Sequence, residues 1–481
     1  MDISSIFKHP EEKTAVISSA GSITYGDLYR RSENLAKHIV ARQAKRVIVY
    51  GHKEFSMLIA YLACLRAGAA YVPISPQQPA ERRKIIAAKT DADMVLCTVG
   101  RGFAGAGSTP TDNIIVLSGN PPKEEVALPE KIDDNELAYM ICVSSSDVKE
   151  PRMVQATRKN LNNFIRWIDT VIPLTPEIEG NVLNMLMFSV DLSLVDVYYA
   201  LTHGRTLVTT NTDQQQHLAQ LYPHIAKSDA ALLVMTPTMA EFLMRSDEFK
   251  REMMPKLRVI YLTGESLHPG TVRRLLQRFD ENLSVFNGYG ATETTCNVCA
   301  AQITDEMCDD RLPVGCVDTA AVKIRIMKND AEVPNGEEGE IILVGDSITA
   351  GYRSGIPGGY CELDGERAYH TGDIGFKTED GKYLFWNNRM NGMIKVKGNR
   401  MEPGDVENSM TRIKGVTGCG VVERYGNLVA YVTINREMTP GQIRAAARNH
   451  LPSHMIPGIV RIIDSLPMNE NGKLDRSKLQ D

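Results

Sequence analysis

Asn287-Gly-Tyr-Gly-Ala-Thr-Glu293 brings two glycines, an aromatic ring, a hydroxyl and a carboxylate together just after a strand-like run. That position, beyond the carboxyl end of a strand, is where open α/β sheets bind ligands. Glycines let backbone approach a ligand closely, a tyrosine face stacks on a flat heterocycle, and a hydroxyl with a carboxylate can meet a phosphate and a metal ion. In Tyr369-His-Thr-Gly-Asp373 a carboxylate sits on a tight turn, suited to accept two ribose hydroxyls. Asn388-Arg-Met-Asn-Gly-Met-Ile-Lys-Val-Lys-Gly-Asn-Arg400 is basic and leads into Met401-Glu-Pro-Gly-Asp-Val-Glu407. The C-terminal stretch holds Leu451-Pro-Ser-His-Met-Ile-Pro457 and Asn471-Gly-Lys-Leu-Asp-Arg476. Taken singly, each has a plainer reading: a Gly-rich turn, an Asp in a hairpin, a basic strand, a solvated terminal lysine.

The elements that must position these residues alternate. Tyr25 to Ala41 and Phe55 to Ala67 carry apolar residues at helical spacing, while Arg46 to Tyr50 and Ala69 to Ile74 read as buried parallel strands. The rhythm returns with strands at Ala230 to Met235 and Leu257 to Thr263 around a helix at Met239 to Ser246. Such alternation predicts α/β architecture with parallel sheet. From about Ala321 the chain becomes β-rich, and Val421 to Ile434 predicts a hairpin turning at Gly426–Asn427, followed by a helix from Pro440 to His450.

Composition narrows the class. The 481 residues are 43% hydrophobic and 23% charged, with a net charge of −5, which points to neither nucleic acid nor an anionic membrane as partner. The N-terminus lacks the apolar core of a signal peptide, no stretch has the ~20 apolar residues of a membrane span, and nine scattered cysteines suit a reducing compartment. A cytoplasmic protein is expected. Cys296-Asn-Val-Cys299 has no second pair at zinc spacing, so no metal site of cysteines is expected. Gly345-Asp-Ser347 fits the β-rich lobe, and no carrier domain is expected within the chain.

In their order, the four motifs resemble those of the adenylate-forming enzymes, in particular the amino-acid adenylation proteins of nonribosomal peptide synthesis and, among these, the stand-alone D-alanine–carrier protein ligases. Ala67-Gly-Ala-Ala-Tyr-Val-Pro73 with Pro76, Pro79 and Arg82, and Phe188-Ser-Val-Asp-Leu-Ser193, agree with that resemblance. It implies a large N-terminal domain (1–388) of two α/β subdomains plus a β-barrel-like lobe, and a small mobile α+β C-terminal domain (389–481). It implies ATP and Mg²⁺ as cofactors, and activation of a small amino acid as aminoacyl-AMP. The acyl group then passes to the phosphopantetheine thiol of a separate carrier protein.

The same resemblance assigns roles. Tyr289 stacks on adenine, flanked by Gly288 and Gly290. Thr292 bonds the α-phosphate, Glu293 holds Mg²⁺, Asp373 with Arg389 takes the ribose, and Lys473 bridges the substrate carboxylate and the phosphate. Asp191 pairs with the substrate ammonium, which would be costly to bury without a counter-charge; alternatively it caps a helix beginning near Leu192. Leu192, Val195, Met235, Tyr261, Thr263, Gly288, Cys296 and Asn297 are the expected pocket positions, with Thr263 standing where the D-alanine ligases carry a cysteine.

The chain departs from the family at its phosphate loop. Val143-Ser-Ser-Ser-Asp-Val-Lys-Glu-Pro-Arg-Met153 has lost the glycines whose N–H groups converge on an anion. Asp147 and Glu150 repel pyrophosphate, whereas Ser144, Ser145, Ser146, Lys149 and Arg152 still donate. Ala291 replaces a proline, Asn391 the hinge aspartate, and Met393 a glutamine. Two other outcomes remain open at this level: adenylation followed by amide formation with a small amine, and a silent nucleotide-binding relative.

Overall fold

The computed structural model describes the chain except 79, 100–102, 104–113, 117–123, 144–150, 354, 356–357, 390–393, 397–398, 402, 425, 468–475 and 480–481, with backbone alone at several further positions, among them 388–389. Ser144, Ser145, Ser146, Lys149, Asn391, Met393 and Lys473 therefore lie outside the described residues, as does the side chain of Arg389.

Two largely parallel sheets form the body of the chain. One runs in the order Gly351–Tyr352, Arg152–Thr157, Leu137–Val143, Ala70–Ile74, Arg46–Tyr50, Met94–Cys97, Ile114–Val116. The other runs Cys299–Ile303, Ser284–Tyr289, Val259–Thr263, Ala230–Met235, Asn181–Asn184, Leu207–Thr209, Thr14–Ser18, Gly21–Thr24. The central strands are buried throughout, as VIYLT and AALLVM predict for sheets covered on both faces. Helices at Tyr25–Ala41 and Phe55–Ala67 match the predicted spans. The Thr14–Thr24 hairpin joins the later sheet, with Val16 opposite Leu207, a long-range pairing that local pattern does not announce.

The β-rich lobe is an antiparallel sheet, Gly315–Cys316, Tyr383–Arg389, Glu366–Lys377, Gly339–Val344, Lys323–Lys328, Ala331–Glu332. It does not close into a barrel; its outer strands are two residues long and do not pair with each other. The C-terminal unit pairs Val416–Arg424 with Asn427–Ile434, and the latter in parallel with Ile459–Ile462 across the helix Pro440–Ala447. Val421, Ala430, Val432, Ile443 and Met410 form its core. Glu407 accepts from the Val421 backbone N–H (2.8 Å) and from two nitrogens of Arg476 (2.7 and 3.1 Å), anchoring the chain just beyond Lys473 in sequence. Among the described residues no helix is long and apolar enough to cross a membrane.

Candidate active site

A cavity opens where the carboxyl ends of both parallel sheets meet the C-terminal unit. Asp191, Leu192, Thr263, Gly288, Gly290, Thr292, Cys296 and Asn297 line one part of it. Ser75, Arg82 and Cys142 line another, and Ser453 and His454 reach it from the C-terminal unit.

Its floor is built by neighbouring strands. Thr263 and Gly288 are cross-strand partners, and the Thr263 hydroxyl donates to the Gly288 carbonyl at 3.1 Å. The Asn297 amide bonds Tyr261 Oη and Thr263 Oγ1, each at 2.9 Å. A Cβ at Gly290 would lie 2.0 Å from the Cys296 carbonyl oxygen, and one at Gly288 2.3 Å from Tyr261 Oη, so both positions require glycine. Thr295 and Cys296 both adopt left-handed backbone, φ 62° and 73°, a strained pair held in place by the Thr295 hydroxyl on the Ser347 carbonyl at 2.8 Å. That turn delivers Cys296 and Asn297 to the floor. It also buries Ser347, in keeping with the reading of Gly345–Ser347 as part of the lobe.

Asp191 is 9% exposed and begins a short 3₁₀ turn, Asp191–Ser193, before the helix Leu194–Thr202. Neither element is capped by a side-chain hydrogen bond, so capping does not explain Asp191. Burial raises its pKa and the Thr292 hydroxyl, which bonds it, opposes that rise; the nearby Glu293 carboxylate raises it further. None of the groups acting most strongly on Asp191 is a cation.

Two buried hydrogen-bonded pairs lie outside the cavity lining. Tyr289 Oη donates to Asp373 Oδ2 at 2.8 Å, and Asp373 lies opposite Arg389 in the antiparallel register. Tyr352 Oη donates to Glu293 Oε1 at 2.6 Å, and the Glu293 carbonyl accepts from the Thr349 N–H and hydroxyl, both at 2.9 Å. Glu293 and Asp373 are 2% and 1% exposed. Among the described residues no group of three or more His, Cys, Asp or Glu side chains could hold a metal alone. A site offering one carboxylate suits Mg²⁺, which completes its shell with phosphate oxygens and water.

The structure thus gathers Asp191, Leu192, Thr263, Gly288, Gly290, Thr292, Cys296 and Asn297 on one cavity. Tyr289 with Asp373, and Glu293 with Tyr352, form two hydrogen-bonded pairs outside its lining. Val195, Met235 and Tyr261 are not among the residues that line the cavity. Met235 points from its strand into the opposite core layer with Leu183 and Ile260, as period two dictates. Val195 packs in the main core, and Tyr261 supports Asn297 from below. Arg82, Ser189 and His454 also line the cavity without an expected site role; all three fall within the quoted motifs, which were the available signal.

Residues 5–353 match the family model described as AMP-binding enzyme, and 405–473 that of the AMP-binding enzyme C-terminal domain. The chain is 33% identical to a D-alanine–D-alanyl carrier protein ligase of Bacillus mycoides (strain KBAB4), over 97% of this chain and 96% of that protein. It is equally similar to the ligase of the same name from Bacillus cereus (strain G9842), 33% identical over the same shares. Among solved structures, an adenylation domain from Vibrio cholerae in complex with glycyl-adenosine-5'-phosphate superposes with TM-score 0.83 at 19% identity, covering 99% of this chain and 96% of that one. The o-succinylbenzoate CoA synthetase from Bacillus subtilis superposes with TM-score 0.84 at 18% identity, over 99% and 98%.

Proposed function

The chain belongs to the AMP-binding enzymes, and from that premise we propose that it activates a small amino acid as aminoacyl-AMP and hands it to the phosphopantetheine thiol of a separate carrier protein in the cytoplasm. The observation that carries this reading is Asp191, a buried carboxylate on the cavity whose strongest neighbours include no cation. A substrate ammonium is the counter-charge that makes such burial favourable.

In this reading a substrate carboxylate oxygen attacks the α-phosphorus of ATP, the bond to the bridging oxygen breaks, and pyrophosphate leaves. Thr292, which already bonds Asp191, links the ammonium side to the α-phosphate. Glu293, fixed by Tyr352, would hold Mg²⁺, which would neutralise phosphate charge. Asp373 takes the ribose hydroxyls, with Arg389 across the strand pair, and Tyr289, tied to Asp373, presents its ring to the adenine. Lys473 meets the charge that develops between the two anions, and Ser144, Ser145, Ser146 and Lys149 contribute donors to the phosphates. Cations aimed at that charge dominate such a reaction. In the second step the carrier thiolate attacks the mixed-anhydride carbonyl and AMP departs.

ATP–pyrophosphate exchange across D- and L-amino acids tests this. Exchange with a small amino acid, lost in Lys473→Ala, is expected. Folded protein with no exchange for any amino acid would refute it, and transfer to free amines in preference to carrier protein would replace its second step.

A further inference from the structure

Two opposite charges face the cavity. Among its described lining residues Asp191 is the one carboxylate and Arg82 the one lysine or arginine. Arg82 and Ile86 stand one turn apart on the helix Ala80–Thr90 and present the same face to the cavity. The Arg82 Nε is buried without a hydrogen-bond partner. Arg82 instead lies against the Cys142 thiol, on the strand Leu137–Val143 from which Ser144–Glu150 departs. Lys89 and, from the C-terminal unit, Asp405 also act on Cys142. His454 lines the same cavity, and burial together with the Arg82 charge pushes its pKa down to about 4, so it adds no second positive charge near neutrality.

We infer that Arg82 is the anchor of a phosphoryl-anion subsite, completed by Ser75 and by Ser453 of the C-terminal unit, which supplements the donors of the glycine-free, partly acidic loop after Val143. The inference rests on the adenylation reading for the source of the anion, but not for its existence. A guanidinium offers a planar fork of donors to phosphate oxygens, and a partly desolvated one gains from pairing. The anion is a phosphoryl group: the pyrophosphate portion of ATP, or the phosphate of a carrier's pantetheine arm.

The probe is inorganic pyrophosphate, titrated calorimetrically into the full chain. Binding to the unaltered protein, weakened about tenfold in Arg82→Gln, is expected. Absence of binding to the unaltered protein, or affinity in Arg82→Gln within about twofold of it, overturns the inference. Thermal unfolding verifies that the variant is folded. Where it is not, Arg82→Lys takes its place, with weaker binding expected because the fork is lost, and unchanged affinity overturning the role given to the guanidinium. A raised KM for pyrophosphate in exchange assays, with that for carrier in loading assays unchanged, assigns the subsite to the leaving group, and the converse assigns it to the pantetheine phosphate. Pyrophosphate binding that depends on Arg82 in a protein without exchange activity upholds the subsite and refutes the adenylation reading separately.

Discussion

Asp191 and Asp196 lie five positions apart, both buried, and their surroundings differ in one respect. Asp196 is 0% exposed and has its company inside the protein. The Asn184 side chain donates to it at 2.8 Å, and the buried ammonium of Lys53 stands nearby, held by the Asn184 carbonyl at 3.3 Å and the Thr210 hydroxyl at 3.1 Å. Burial raises the pKa of Asp196 and lowers that of Lys53, and each charge partly restores the other. Asp191 has a hydroxyl and backbone donors, and among the described residues no cation is one of the groups acting most strongly on it. A carboxylate compensated from within is part of the scaffold; one left for a ligand to compensate is part of a site.

That contrast is open to attack from several sides. The largest effect is expected from Asp196→Ala, which strands Lys53 and costs about 3 kcal/mol of stability, whereas Lys53→Met with Asp196→Leu together recover most of the loss. Urea unfolding measures both; an undisturbed Asp196→Ala would erase the distinction between the two aspartates. Acid offers a second route, because burial, with help from Lys53, depresses the His52 pKa from 6.5 to about 4. A depressed pKa means stability that is present above pH 6.5 and lost as pH falls from 6.5 toward 4, amounting to roughly 3 kcal/mol across that window. Unfolding curves between those limits check it, and the slope should be shallower in a His52→Gln variant.

On the Asp191 side, Asn297→Ala opens the floor, takes the amide from Tyr261 Oη and leaves Thr263 Oγ1 with the Gly288 carbonyl alone, at a cost of about 1–3 kcal/mol. The accompanying readout is relaxed choice among amino-acid side chains in exchange assays. Smallest, Tyr352→Phe removes one hydroxyl from Glu293 and lowers stability by about 1 kcal/mol, while the apparent affinity for Mg²⁺ in the exchange reaction falls.

Much of this was readable from residue order, and the omissions have physical reasons. Helices and inner strands followed from apolar period, since Tyr25–Ala41 and Ala230–Met235 are decided by which face is buried. The joining of the Thr14–Thr24 hairpin to a strand near Leu207 was not readable, because parallel pairing over that separation leaves no local mark. Asp191 was identified through motif resemblance, yet only the structure separates it from Asp196, whose isolation depends on Lys53 arriving from another element. Counting along the chain placed Tyr261 and Thr263 together. The strand geometry puts Thr263 on the cavity and leaves Tyr261 beneath Asn297, a difference of depth that spacing does not encode.

The central claim is that Asp191 awaits an ammonium, and the most direct measurement is a four-way comparison of adenylation rates. The preferred amino acid and its des-amino analogue are offered to the unaltered enzyme and to Asp191→Asn. The account predicts a strong preference for the amino acid in the unaltered enzyme, falling by about a hundredfold in Asp191→Asn with unfolding stability unchanged. Equal preference in both proteins would contradict it.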